Sequence, residues 1–248
     1  RVVKALLIPF PTMNFKTPGI PEKANQWMLE QIKTAPDCVA EVFVKPGDSR
    51  EYIESLLVSD QIKGFKCYHI NAKVDGPTFK ADIGDYLPEV AWEIANERGF
   101  VITLHMVKEL SLADPQNLAY IKEKTAQYPN AKLILAHCAR GFASWSMMKA
   151  IKELEDLGNI WFDLSAICEA APMAACILKN AGKRTMWGSD YPASMLRGRA
   201  VGIGKWQDWL VDDDFKGPER ALIPAENLLA FYHAALLLDL DATQVEDI

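Results

Sequence analysis

The stretch YLPEVAWEIANERGFVITLH, residues 86–105, contains the structural unit from which the fold is predicted. Apolar residues recur at helical spacing between Leu87 and Ala95, and charged residues occupy other positions, which indicates an amphipathic helix over Tyr86–Arg98. Gly99 supplies the C-terminal stop of that helix. The apolar run Phe100–His105 then predicts a strand, so the stretch is one helix followed by one strand.

The same alternation recurs along the chain. The predicted strands are Val2–Pro9, Cys38–Val44, Ile62–Tyr68, Phe100–His105, Ala131–His137, Asn159–Leu164 and Arg184–Gly188. The predicted helices are Glu22–Thr34, Ser49–Ser59, Tyr86–Arg98, Pro115–Gln127, Ser144–Leu157 and Ala170–Ala181. The strands are near-continuous apolar runs, as in parallel sheets covered by helices on both faces. No linker or change of composition interrupts the repeat, so we predict a single domain over residues 1–248.

The predicted fold class is α/β, and the unbroken repeat favours a (β/α)₈ TIM barrel over a doubly wound sheet. The predicted strands number seven, one fewer than a closed barrel has. Because closure removes the exposed edges of a sheet, we expect an upstream strand that this chain lacks, or a replacement for it.

Composition narrows the class of partner and the compartment. The net charge of -6 argues against a nucleic-acid partner, because phosphate binding requires a basic surface, but it allows a small acidic substrate. Five cysteines without a close pair indicate free thiols in a reducing compartment. No apolar run is long enough to span a membrane. We therefore expect a cytoplasmic protein without a membrane partner, and a homo-oligomer is left open.

Three predicted strands end in a residue that can bind metal or transfer a proton. Phe100–His105 and Ala131–His137 each end in histidine, and Thr185–Ser189 leads into Asp190. In barrels the active site is built at the carboxyl ends of the strands. Imidazole and carboxylate groups are ligands for Zn²⁺ or Mn²⁺, and a bound metal can activate water for hydrolysis. We predict His105, His137 and Asp190 as metal ligands, with His137 and Asp190 also catalytic.

Each of these residues also has a structural interpretation. A histidine at a strand end can be held only by hydrogen bonds, and an aspartate before Tyr191–Pro192 can cap the next turn. The prediction therefore depends on all three strand ends together, and it requires the side chains to converge at one end of the barrel.

Four segments resemble the amidohydrolase-related family of the metal-dependent hydrolase superfamily. They are Gly64–Lys66, Thr103–His105, Leu135–Arg140 and Trp187–Pro192, and the closing segment Pro224–Leu229 also resembles the family's last helix. The resemblance implies a metal beside His105 and His137 and a ligand or proton acceptor at Asp190. The family's His-x-His or Glu-x-His pair on the first strand is absent here. Some relatives act on lactones without a metal.

Other residues are candidates for binding substrate. Lys66 ends an apolar run, and Arg140 follows His137 with a guanidinium group suited to a carboxylate. Arg197 and Trp206 lie in the segment after the Asp190 strand, where loops often shape the pocket. Solvated or packing roles are the alternatives for these four residues.

The leading functional prediction is hydrolysis of a carboxylate-bearing amide, ester or lactone by a metal-activated water. A non-oxidative decarboxylase, which is a carbon–carbon lyase, would use the same residues. A catalytically inactive barrel that acts as a binding protein is the third alternative, and metal content and activity would separate it from the enzymes.

Overall fold

The structure is a computed structural model that describes residues 4–10, 17–154, 157–211 and 220–248. Its contacts divide the chain into two compact units. The first comprises Arg1–Val107 and Glu123–Ile134, and the second comprises Lys108–Lys122 and Leu135–Ile248. The single domain inferred for residues 1–248 stays a prediction.

The first unit alternates strands and helices. Its elements are β1 (Leu6–Leu7), α1 (Ile20–Gln31), β2 (Val39–Phe43), α2 (Arg50–Ser55), β3 (Ile62–Cys67), α3 (Glu89–Arg98), β4 (Val101–Leu104) and most of β5 (Lys132–Leu135). Each of β2, β3 and β4 pairs in parallel with the strand before it. The N–H of Lys132 donates to the carbonyl of Phe100 (2.9 Å), so β5 lies beside β4.

Helix α1 is joined to β2 by a buried side chain. The Asn25 amide donates to the Phe43 carbonyl (2.9 Å) and accepts from the Phe43 N–H (2.6 Å). Asn25 therefore hydrogen-bonds both backbone polar groups of Phe43 at the end of β2. Gly99 ends α3 with a φ of 65°, which confirms the predicted glycine stop.

The second unit contains two parallel strands, a hairpin and several helices. Its elements are part of α4 (Pro115–Gln127), α5 (Ala136–Arg140), α6 (Ser144–Ala150), β6 (Ile160–Asp163), α7 (Ala170–Asn180), β7 (Thr185–Met186), β8 (Gly198–Ile203), β9 (Trp206–Val211), α8 (Ile223–Leu237) and α9 (Ala242–Glu246). β6 pairs in parallel with β7, whereas β8 and β9 form an antiparallel hairpin.

All seven predicted strands are confirmed as β1 to β7. Val2 and Val3 of the first predicted strand, and residues 155–156 of the predicted helix Ser144–Leu157, lie outside the described residues. The rest of that helix ends at Ala150 and continues as a 3₁₀ turn, Ile151–Leu154. The segment that contains Trp206 was predicted to be a loop, and it is instead the β8–β9 hairpin.

The five cysteines are all free, as predicted, and four of them are buried. Burial raises the pKa of the Cys67 thiol to about 12, and it also raises the pKa of Cys138, which lies against the Cys176 thiol. The Cys67 and Cys138 thiols are therefore protonated at neutral pH, the form that is a poor nucleophile. Within the described ranges, no helix has both the length and the apolar character that crossing a bilayer requires.

Candidate active site

The turn that follows β5 has an unusual backbone. His137, Cys138, Ala139 and Arg140 have φ values of 56°, 50°, 55° and 59°, so α5 is a left-handed turn made without glycine. The His137 carbonyl accepts from the Gly141 N–H (2.7 Å), which closes the turn. Left-handed backbone costs about 1–2 kcal/mol for each such residue. Strain of this kind persists only where the surrounding structure enforces it, and it is frequent at functional sites.

His137 is buried, and its ring is held by the loop after β6. Nδ1 lies 3.1 Å from the Ser165 carbonyl oxygen and 2.9 Å from its Oγ. The His137 backbone N–H donates to Oδ2 of Asp163 (3.1 Å). One face of the ring stacks on Phe142, with a centroid separation of 5.4 Å. These contacts fix the position and the orientation of the imidazole.

Asp190 follows β7 in a loop that is anchored from several directions. Asp190 has a φ of 51°, and its carbonyl accepts from the Ser194 N–H (3.0 Å). Ahead of it, Nε1 of Trp187 donates to Oδ1 of Asn227 (2.7 Å). The same Asn227 amide donates to the carbonyls of Leu164 and Ile167. One buried amide therefore ties the Asp190 loop and the Ser165 loop to α8.

Gly188 brings the Asp190 loop against the partners of His137. A Cβ at residue 188 would lie 2.7 Å from Oδ1 of Asp163 and 3.3 Å from Cβ of Ser165. Only glycine allows this approach without displacing a neighbour. The segment Trp187–Asp190 and the side chains that hold His137 are thus in direct contact within the second unit.

His105 lies in an aromatic cluster of the first unit. Its ring centroid is 4.7 Å from Tyr68 and 5.8 Å from His69, and its carbonyl accepts from the Tyr86 hydroxyl (3.3 Å). Nδ1 of His69 lies 3.3 Å from Oγ1 of Thr78. His69 thus shares a cluster with the predicted ligand His105. The convergence of His105, His137 and Asp190 on one point stays a prediction.

A buried carboxylate lies deeper in the same unit. Oε1 of Glu41 accepts from the Thr103 hydroxyl (2.6 Å), and both residues are buried. Gly64 lies on β3, in register with Glu41 on β2 and with Val101 on β4. Because it is glycine, it places no side chain between Glu41 and Val101. Lys66, on β3, is half-buried and is in register with Thr103 on β4.

The other predicted substrate-binding residues lie in the second unit. The Arg140 guanidinium carbon is 5.7 Å from the centroid of the Phe142 ring. Arg197 donates to the carbonyl of Arg220 (2.8 Å), and it is exposed. Trp206 begins β9 and is 51% exposed. Their roles in substrate binding stay predictions.

The hairpin reaches the surroundings of His137 through aromatic rings. Trp209 of β9 packs edge-on against Phe142, with centroids 4.9 Å apart, and Phe142 in turn stacks on His137. A Cβ at Gly202 would lie 2.9 Å from Cα of Ala143, so β8 approaches the same segment closely. The hairpin therefore covers the chain that follows His137.

The donor types at the three strand ends, two imidazoles and a carboxylate, are those that Zn²⁺ or Mn²⁺ accepts. Among the residues that the structure describes, however, no three His, Cys, Asp or Glu side chains are grouped so that they could hold an ion. The described side chains therefore do not by themselves form a complete metal centre.

Solved structures share this fold. An amidohydrolase II structure superposes with a TM-score of 0.58 at 16% identity, and covers 96% of this chain and 78% of its own. The 5-carboxyvanillate decarboxylase of Novosphingobium aromaticivorans, solved with bound manganese, gives 0.56 at 13% identity and covers 98% and 73%. The chain thus shares the fold of these structures, which confirms the predicted fold class.

The chain belongs to the amidohydrolase family, whose sequence profile matches residues 16–217. This confirms the resemblance drawn from the sequence, and it supports an enzyme of hydrolase type. A curated relative, the L-fucono-1,5-lactonase of Burkholderia ambifaria, is 29% identical over 141 residues. The matched segment covers 49% of this chain and 48% of the relative, so it spans about half the length of that protein.

Proposed function

We propose that the protein is an amidohydrolase-type hydrolase that opens a lactone, within the wider class of carboxylate-bearing esters and amides. The observation that carries this proposal is the buried His137, whose Nδ1 is held by Ser165, so that Nε2 is the ring nitrogen assigned to proton acceptance. A histidine oriented in this way is suited to act as a general base. The lactonase among the curated relatives supports a lactone as the substrate.

In the proposed reaction a water molecule attacks the lactone carbonyl while Nε2 of His137 takes its proton. The ring C–O bond then breaks, and the leaving oxygen receives a proton, so that a hydroxy acid is released. Asp190 is the alternative acceptor of the first proton. Lys66 or Arg140 would stabilise the negative oxygen that forms on the carbonyl carbon.

A divalent metal is part of this proposal. His105, His137 and Asp190 would hold Zn²⁺ or Mn²⁺, and their donor types and the manganese in the decarboxylase structure support this assignment. With Nε2 of His137 bound to the ion, Asp190 would accept the water proton through its second carboxylate oxygen. When bound, such a metal lowers the pKa of its water to about 7. Metal analysis of the purified protein, before and after dialysis against a chelator, measures this directly. A His105→Ala variant that loses a stoichiometric ion would support the ligand assignment.

The proton balance distinguishes the two candidate reactions. Opening a lactone produces an acid and releases a proton, whereas decarboxylation produces CO₂ and takes up a proton. A weakly buffered pH-indicator assay over 1,4- and 1,5-sugar lactones, activated esters and aromatic carboxylates therefore reports both activities, provided that CO₂ is purged before its hydration to bicarbonate returns the proton. We expect acidification with a lactone. Alkalinisation with an aromatic acid would instead establish the lyase, which the fold shared with the decarboxylase favours as second candidate.

The variants that test the site are His137→Ala and Asp190→Asn. Loss of a general base lowers kcat by about 100- to 10,000-fold. His233→Ala is the matched control, because His233 is exposed on α8 and is expected to leave the rate unchanged. Full activity in both site variants would refute the proposed site. No turnover of any substrate by metal-loaded protein would favour the binding protein.

A further inference from the structure

A hydrogen-bonded chain in the second unit runs from Asp163 through Ser165 to His137. We propose that Asp163 and Ser165 are positioning residues that keep the His137 proton on Nδ1, so that Nε2 carries the lone pair used in catalysis. The catalytic use of Nε2 rests on the proposed function, whereas the position of the proton rests on the hydrogen bonds alone.

The Ser165 carbonyl settles which ring nitrogen carries the proton. Its oxygen lies 3.1 Å from Nδ1 of His137, and a carbonyl oxygen can only accept a hydrogen bond. Nδ1 must therefore donate, which makes the neutral ring the Nδ1–H tautomer. Either role proposed for His137, metal ligation or proton acceptance, uses the lone pair of an unprotonated Nε2.

The Ser165 hydroxyl gives the same answer. It has one proton, and that proton is donated to Oδ2 of Asp163, which is 2.5 Å from Oγ. Toward Nδ1 of His137, at 2.9 Å, Oγ is left as an acceptor. Oδ2 of Asp163, which receives that proton, is itself 3.8 Å from Nδ1 of His137.

The Asp163 carboxylate is itself fixed by the backbone. Oδ2 accepts from the His137 N–H (3.1 Å), and Oδ1 accepts from the Ser165 N–H (3.0 Å). Gly188 leaves the space that Oδ1 occupies. Asp163 therefore orients the Ser165 hydroxyl, and through it the ring. A side chain at Gly188 would displace this carboxylate, so the glycine is needed for the position of Asp163.

Ring ¹⁵N NMR tests the tautomer in the unmodified protein without a substrate. The chain has four histidines, so the His137 signals can be assigned by their loss in His137→Asn. At about pH 8, where imidazoles are mostly neutral, we expect Nδ1 to be protonated and Nε2 to be unprotonated. The exposed His233 serves as the internal reference. A His137 ring protonated on Nε2 would overturn the proposal.

Kinetics test the positioning role. Ser165→Ala keeps the carbonyl acceptor, so we expect the tautomer to persist while kcat falls about 10-fold. Asp163→Asn is expected to lower kcat by about 10- to 100-fold with little change in KM. The double variant should be no slower than the slower single variant, because both residues act through His137. The exposed Asp37→Asn is the control.

The two proposals fail in different ways. Absence of lactone turnover together with the expected ¹⁵N spectrum would reject the proposed function and leave the tautomer assignment intact. Lactone turnover together with unchanged kcat in Asp163→Asn and Ser165→Ala would reject the positioning role and leave the function intact. Circular dichroism and the free energy of unfolding of each variant identify any loss of folding.

Discussion

Replacing Asn227 by aspartate should destabilise the protein strongly and in a pH-dependent way. Asn227 is buried on α8, and its Nδ2 donates to the carbonyls of Leu164 (2.7 Å) and Ile167 (2.9 Å). Its Oδ1 accepts from Nε1 of Trp187 (2.7 Å). Aspartate has the same size and keeps the acceptor for the indole, but it turns the doubly donating nitrogen into an oxygen that faces two carbonyls.

The magnitude follows from those contacts. Each buried carbonyl left without its donor costs about 1–3 kcal/mol, and a buried charge without a partner adds to this. We expect the free energy of unfolding at about pH 7 to fall by about 3–5 kcal/mol. Repulsion from the carbonyls raises the pKa of the new carboxyl group in the folded state above the unfolded value of about 3.9.

The sign of the pH dependence follows from that raised pKa. Between the unfolded and the folded pKa the native state binds more protons, so stability falls as pH rises, by up to about 1.4 kcal/mol per pH unit. Urea unfolding of N227D and wild type at several pH values between about 4 and 7 measures this difference. The exposed Asn130→Asp serves as the control. Equal stability of N227D and wild type, or a parallel pH dependence, would refute the reasoning.

Exchanges between glycine and alanine give further predictions for stability. Gly188→Ala places a methyl group 2.7 Å from the Asp163 carboxylate, so it should lower the free energy of unfolding by about 1–3 kcal/mol, whereas Gly76→Ala, with nothing within 4 Å, should change it little in urea melts. Ala181→Gly should raise the free energy of unfolding by about 1 kcal/mol, because Ala181 is exposed at the end of α7 with a φ of 49°. Ala119→Gly, exposed in the right-handed α4, should lower the free energy of unfolding by about 1 kcal/mol. A loss of stability in both Ala181→Gly and Ala119→Gly would contradict the argument.

The strands and most helices could be predicted because their signals are local. Apolar runs such as Ile62–Tyr68 and the helical spacing before Gly99 each decide an element within about 20 residues. The β8–β9 hairpin also has a local signal. Two strand-like runs flank Gly204 and Lys205, and a two-residue connection containing glycine is typical of a hairpin.

The surroundings of the candidate site were less predictable, because they depend on contacts between distant residues. Asn227 binds the carbonyl of Leu164, which is 63 positions away, and Ser165 binds His137 from 28 positions away. Neither residue belongs to a periodic pattern, and a buried serine or asparagine looks in sequence like any loop residue. The strand-end position of His137 could be predicted, but the groups that orient its ring could not.

The left-handed turn after β5 has a consequence for how His137 is mounted. Left-handed backbone is the natural conformation of D-amino acids, so a semisynthetic protein with D-alanine at residue 139 should accept that turn more readily than the L-residue does. The native chain instead places four L-residues in this turn, and a Cβ at Gly141, directly after it, would lie 2.9 Å from the Cys138 carbonyl oxygen and 3.0 Å from Cβ of Pro172. His137 therefore begins a left-handed segment of L-residues. The packing around this segment must prevent the backbone from returning to the right-handed conformation that L-residues prefer.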